Sequence, residues 1–318
     1  MIRHCPRYSI RACLILTAGL LSSCAHPRQT TQTRELSHSA PVALVPAGEF
    51  HGEAFGERVS PGALAWDGDS AIFTLDSHNA RLLKFDLELR PLALAGGRGP
   101  HAGALSEPAD LCVDNSLNVW VTDGQRRSVI LYDAALAFVE EILFADPEDP
   151  IRLGRPGGVT VSGDGELWVT DLERSRIAVF DRFRALASVY GEQGSAAGTL
   201  REPVDIVTVD DRHMAVAQAS GSIGILDRDG AIVNECGSET LKRPFTLAAR
   251  GKYIWVGDRR LREILCFSTA GGLLFRTLGS GLDGIDPTGL VCVGDDKLAV
   301  SDVATQRITL FQIIYSTQ

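Results

Sequence analysis

The chain has 318 residues, 45% of them apolar and 22% charged. That is the make-up of a globular protein with one large β domain or two smaller ones. The first 23 residues hold three Arg and no acid, so the formal net charge of −9 hides a body with 28 basic against 40 acidic groups, or −12. So acidic a body excludes general nucleic-acid binding, where neutralising phosphates dominates affinity.

The chain begins "MIRHCPRYSIR" and continues "ACLILTAGLLS". This apolar run is shorter than the about 20 residues a spanning helix needs. A basic start, a short apolar run and small residues predict a secretory signal over 1–23. The run ends in "LSSC", Leu21 to Cys24. An aliphatic residue, two small ones and a Cys resemble the lipobox of bacterial lipoproteins. The resemblance implies cleavage before Cys24, lipidation of its thiol, a membrane as partner and a place in the bacterial cell envelope. Ala25, where an Asp favours retention in the inner membrane, points the expectation to the outer one. Residues 24–40 are polar and lack the apolar surface to offset their ordering entropy. They are expected to form a flexible tether that holds the rest of the chain roughly 20–25 Å from the lipid.

From residue 41 the text repeats. Aligned on Pro61, Pro108, Pro156, Pro203, Pro244 and Pro287, the units are spaced 47, 48, 47, 41 and 43 residues apart. An Asp follows the proline by 15 residues at Asp76, Asp123, Asp171 and Asp302 and by 14 at Asp258, while the fourth unit has Gln218. Bulky residues recur at Phe73, Trp120, Trp168 and Trp255. Periods of this length mean a propeller or a solenoid. Each unit divides into four short β-branched and aromatic runs; in the second they are "DLCVD", "NVWVTD", "SVILYD" and "FVEEILF". "SGDGE" and "DRDGA" are hairpin turns between such runs. The prediction for 41–318 is an all-β fold, a six-bladed β-propeller of four-stranded antiparallel blades. The last unit stops three strands in, at "ITLFQIIYSTQ". Residues 41–46 are therefore expected to supply the outer strand of the sixth blade, closing the ring and removing its exposed edges.

A proline, an apolar strand, "WVTD", a short polar loop, an Arg and "VFD" resemble the NHL repeat. The likeness is strong in the first three units, fair in the last two and weak in the fourth. It implies binding or scaffolding more often than catalysis, although peptidyl-hydroxyglycine lyases and gluconolactonases stand close to it.

Propeller ligands usually sit where the loops joining strands b to c and strands d to a meet around the channel mouth. The b–c loops hold nine Arg: Arg81, Arg126, Arg127, Arg174, Arg176, Arg259, Arg260, Arg262 and Arg307. One reading is a face for an envelope protein, a glycan or another acidic partner, because the guanidinium fork matches carboxylates and phosphates. The other is internal bracing, since Asp76 with Arg81, Asp171 with Arg176 and Asp302 with Arg307 share one spacing. The Arg of "GQRRS" and "DRRLRE" lack such partners and are expected to be free for contacts. Asp110 and Asp205, two residues past their prolines, should point toward the channel mouth. They either hold a divalent ion such as calcium, with carbonyls and water completing its six to eight oxygens, or cap turns. No motif asks for another cofactor. Scattered histidines and the absence of a G-x-S-x-G elbow or a phosphate-binding loop leave a metal-dependent lyase or lactonase as the alternative to a binding module. Cys236 and Cys266 are expected to be free thiols, with a disulfide as the alternative.

Overall fold

The computed structural model describes residues 40–143, 153–191, 198–277, 282 and 284–316. The expected signal, Cys24 and all of the tether but residue 40 lie outside the described residues.

The inner strands of the six units are Pro61–Trp66, Pro108–Val113, Pro156–Val161, Pro203–Thr208, Pro244–Arg250 and Pro287–Val293. Each begins on the proline that sets the sequence repeat. That position suits a residue without an N–H, because the ladder starts there. Each inner strand opens a four-stranded antiparallel sheet, and each touches the next around the circle, the sixth touching the first. The second and third strands of a blade are buried on both faces, as in Leu167–Asp171 and Arg176–Phe180. Two-sided burial is why their apolar residues run on instead of alternating. Trp120, Trp168 and Trp255 fill equivalent places and are at most 1% exposed. Six apolar clusters lie between successive blades, so the core is a set of spokes rather than one central mass.

Ring closure occurs as the sequence predicts. Pro41–His51 pairs antiparallel with Arg307–Tyr315 as the outer strand of the sixth blade. It is longer than the expected 41–46. Register shifts beside Pro41 and Pro46 absorb the two missing N–H donors, so pairing resumes at Gly48 and runs to His51. A small unanticipated hairpin, Glu53–Ala54 with Glu57–Arg58, comes next in the chain. Phe55 and Gly56 at its turn both have positive φ, 54° and 76°, as a type I′ turn requires.

The recurring Asp has a visible purpose. It ends the second strand of its blade, fully buried in four of five cases: Asp76, Asp123, Asp171 and Asp258. In those four the carboxylate accepts N–H bonds from its own b–c loop and from the preceding d–a loop. Asp258, for example, takes the N–H of Arg260 and Leu261 on one oxygen and of Lys242 and Arg243 on the other. One side chain thus fixes both loops that form the channel-mouth face.

Candidate functional site

Most of the nine b–c loop arginines have internal partners. Arg81 pairs with Asp76 at 3.0 Å and Glu57 at 2.7 Å, and Arg176 with Asp171 at 3.1 Å, as the repeat spacing suggests. Arg174 lies 3.5 Å from the same Asp171. The third spaced pair does not form. Arg307 reaches Glu49, at 3.8 Å, because the closing strand runs beside it. Arg126 and Arg127, expected to be free, are not. Arg126 makes a two-pronged pair with Glu141, and Arg127 bonds Glu173 of the next blade at 2.9 Å. Arg259 forks onto Asp286 and lies over the ring of Phe245, 4.9 Å from its centre. Arg262 donates to the Gly284 carbonyl at 2.6 Å. Arg260 is exposed, and among the described residues its side chain has no hydrogen-bond or ion-pair partner.

The residues before the six blade prolines form a ring. Ser60, Glu107, Arg155, Glu202, Arg243 and Asp286 each accept, on the carbonyl, an N–H from the residue just past the second strand, at 2.9 to 3.4 Å. Six equivalent bonds put six side chains at equivalent places, and from the second blade onward acid and base alternate. Arg155 pairs with Glu107. Arg243 is exposed, with no side-chain partner among the described residues. The prolines marked this position. Glu-Pro repeats in blades two and four and Arg-Pro in blades three and five.

Inside the ring opens a cavity of about 590 Å³ whose lining includes Glu107, Arg155, Arg243 and Arg259 and, deeper, Asp110 and Asp205. A side pocket of about 510 Å³ shares Arg243, Phe245 and Arg259 with it and adds Arg260 and Asp286. Asp110 and Asp205 also line a cavity of about 210 Å³ further along the channel, bounded by Trp66, Arg250 and Cys292 among others. The mouth therefore leads past the two carboxyls into the channel.

The structure brings Asp110 and Asp205 together, their carboxyls within hydrogen-bonding reach of each other. Each also ties its blade to the next. Asp110 Oδ2 accepts from Val159 N–H at 2.8 Å, and Asp205 Oδ2 from Leu247 N–H at 2.6 Å, while Asp205 Oδ1 accepts from Ile206 N–H at 2.7 Å. Burial, and then the neighbouring charge of Asp205, push Asp110 well above the usual carboxylate range. Burial pushes Asp205 up to about 6, against the pull of its N–H donors. Two acids this close share one proton and titrate as a pair. Blades three and six carry Gly158 and Gly289 at the same position. A Cβ there would fall 2.6 Å from Asp205 Cα and 2.4 Å from the Gly62 carbonyl, so backbones meet where the other blades place side chains.

Three of the four carboxylate oxygens accept backbone N–H bonds. A calcium ion, which takes six to eight oxygens, would draw most of its shell here from carbonyls and water. Among the described residues no three His, Cys, Asp or Glu side chains cluster as metal ligands. His78 and His101 sit exposed in mouth-face loops, and His213 pairs with Asp210. Cys236 and Cys266 are free thiols, as are Cys112 and Cys292. Burial pushes Cys236 up to about 11 and Cys292 up to about 12, which keeps them protonated and unreactive at neutral pH.

Residues 153–180 match the NHL repeat family. The span holds the first three strands of the third blade, Pro156–Val161, Leu167–Asp171 and Arg176–Phe180. Among curated proteins no sequence matches the chain. Among solved structures, a streptogramin B lyase superposes with a TM-score of 0.62 over 84% of this chain and 97% of its own, at 14% identity. Virginiamycin B lyase from Staphylococcus aureus gives 0.61 over 84% and 98%, at 14% identity. A chain of a nidogen/laminin complex gives 0.60 over 78% and 96%, also at 14%. At such identities the likeness is one of fold, and the fold serves both a lyase and a binding complex. The chain is a six-bladed β-propeller that carries an NHL repeat in its third blade.

Proposed function

We propose that this protein is a binding module of a bacterial cell envelope. It is held to the membrane by lipid on Cys24 and takes an acidic partner on its channel-mouth face. The observation that carries the reading is the pair Arg243 and Arg260, two exposed guanidiniums without side-chain partners among the described residues, on a protein whose body is acidic. A free guanidinium keeps its planar fork of donors open to a carboxylate or a phosphate. The test is capture from solubilised membranes. Wild-type protein retains a partner at low salt and releases it as salt rises, because exposed charge contacts are screened. Arg243→Glu with Arg260→Glu loses it. Cys24→Ser moves the protein from the membrane fraction to the soluble one. Capture that ignores both salt and charge reversal would sink the reading.

A second reading, a divalent-metal-dependent lyase or lactonase with its site in the channel, is favoured by one observation. Asp110 and Asp205 stand side by side in the lining of the mouth cavity, both held above the usual carboxylate range by burial, and a carboxyl pair so arranged would serve as general acid and base in one place. Metal analysis of protein purified without chelator separates the two. A tightly held ion that leaves on Asp110→Asn or Asp205→Asn favours the enzyme. A metal-free protein that keeps its partner favours the binding module.

A further inference from the structure

The geometry points to the side pocket on the fifth blade, formed by Arg243, Phe245, Arg259 and Arg260, as a binding site for a single carboxylate borne on an apolar or aromatic body. The inference rests on the channel-mouth binding reading and names the chemistry that the site takes.

Rigidity is the first ground. The backbones of Arg243 and Arg260 are fixed by one buried group: Asp258 takes the Arg243 N–H on Oδ2 at 2.9 Å and the Arg260 N–H on Oδ1 at 3.0 Å. The Arg243 carbonyl also accepts the Arg259 N–H. Three backbone contacts therefore set the origins of three guanidiniums while leaving two of the side chains uncommitted. A site whose backbone is ordered in advance loses less entropy when it closes on a ligand.

Charge is the second. Three Arg against Asp286 leave the pocket at a formal +2. Asp286 already shows what the pocket accepts. Its two oxygens lie 2.8 and 3.3 Å from Nε and Nη2 of Arg259, a carboxylate docked on a guanidinium fork. Arg243 and Arg260 offer the same fork with nothing in it. A carboxylate presents two coplanar oxygens, which this planar donor pattern fits two at a time.

The third ground is Phe245. It is 37% exposed, and Arg259 stands over its ring. The rest of the ring borders the pocket and gives the uncharged part of a ligand an apolar surface beside the charged one. Because the mouth cavity shares Arg243, Phe245 and Arg259 with the pocket, a ligand longer than one residue has room to continue toward the channel. Carboxylate and apolar group side by side are found in a free arylalkanoic acid and in the C-terminal residue of a peptide.

The full chain is titrated by calorimetry with 3-phenylpropionate, its amide, inorganic phosphate and a pentapeptide ending in Phe with a free or amidated C-terminus. The free acid binds and the amide does not. Arg243→Gln and Arg260→Gln each weaken the acid about tenfold or more, the scale of a charge-assisted hydrogen bond lost. Phe245→Ala weakens it less. Both Arg are exposed, and unchanged thermal unfolding of their variants separates lost binding from lost fold. Tighter binding of the free-ended peptide than of the small acid assigns the site to a chain end; the reverse assigns it to a free acid. Equal binding of acid and amide, phosphate displacing the acid at equal concentration, or full affinity in the double Arg variant overturns the inference. If the acid fails while salt-sensitive membrane capture persists, this inference alone falls. If the acid binds and capture fails, the partner reading falls and the pocket stands.

Discussion

Blades three and four differ in the residues that mark the repeat, yet both form four-stranded antiparallel sheets. Blade three carries the NHL match, Trp168 near the start of its second strand and Asp171 at the end. Asp171 accepts from Gly154 N–H at 3.0 Å, Glu173 N–H at 3.2 Å, Arg174 N–H at 3.3 Å and Arg176 Nε at 3.1 Å. Blade four has Ala215 and Gln218 in those places, and residues 214–227 carry no Arg. Gln218 keeps one of the links, accepting from Arg201 N–H at 2.7 Å, and donates to Ser222 Oγ, which donates to Glu235 at 2.6 Å. Its b–c loop turns on Gly221, at φ 113°, whose N–H bonds the Gln218 carbonyl. The comparison separates two jobs that Asp171 does at once. Among the described residues, a side chain at the end of the second strand joins it to the d–a loop in every blade but the sixth, where Asp302 caps its own loop and the link is the Val303 N–H to Asp286 carbonyl bond. Shaping a four-residue b–c loop by side-chain capping is dispensable where a glycine makes a shorter turn.

Substitutions make the difference measurable. Asp171→Ala removes the acceptor of three loop N–H groups and of a guanidinium, all in a buried setting, and is expected to cost about 3–5 kcal/mol, read as a shift of the denaturant midpoint. A loss below about 1 kcal/mol, the ordinary worth of one hydrogen bond, would show that blade three needs its capping no more than blade four does. Gln218→Ala removes one buried acceptor and one side-chain link, an expected loss of about 1–2 kcal/mol on the same assay. If the two variants lose equally, the division of labour between the blades is wrong.

A further test concerns Asp205 of blade four, which stands where blade three has Gly158. Its folded-state pKa is raised to about 6, above the ordinary value of 3.8, so the folded protein holds this proton more tightly than the unfolded chain does. The sign follows from linkage. The stabilising contribution is complete below the unfolded value and is lost as pH rises through the folded one. Thermal unfolding of wild type and Asp205→Asn, compared between about pH 4 and pH 7, is expected to show wild type losing Tm relative to the variant. Parallel curves would mean that the pair does not share a proton.

The fold was legible because the proline, the Asp and the bulky residue recur at fixed offsets, and because an orphan strand at one end matched a missing strand at the other. The site was legible in part. The pairs of Arg81 and Arg176 follow repeat spacing and could be read. Those of Arg126, Arg127 and Arg259 run to Glu141, Glu173 and Asp286, on an outer strand, a neighbouring blade and a d–a loop. No fixed offset connects those positions. Arg307 escapes its spaced partner because blade six borrows its outer strand from the other end of the chain, which brings Glu49 beside it. Arg155, Arg243 and Phe245 lie in or beside d–a loops, and attention to charge in the b–c loops passed them by.

The closing strand also governs when the molecule can exist. Ser316 N–H donates to the Ala40 carbonyl at 3.0 Å, and the two residues are 276 positions apart. During synthesis the ribosome delivers five complete sheets before it delivers Arg307–Tyr315, the partner for Pro41–His51. A nascent polypeptide short of only its final dozen residues would hold nearly all of its mass in finished blades and still lack a circle. Closure of the circle thus waits on the arrival of the last strand, the one element that joins the two ends of the ring.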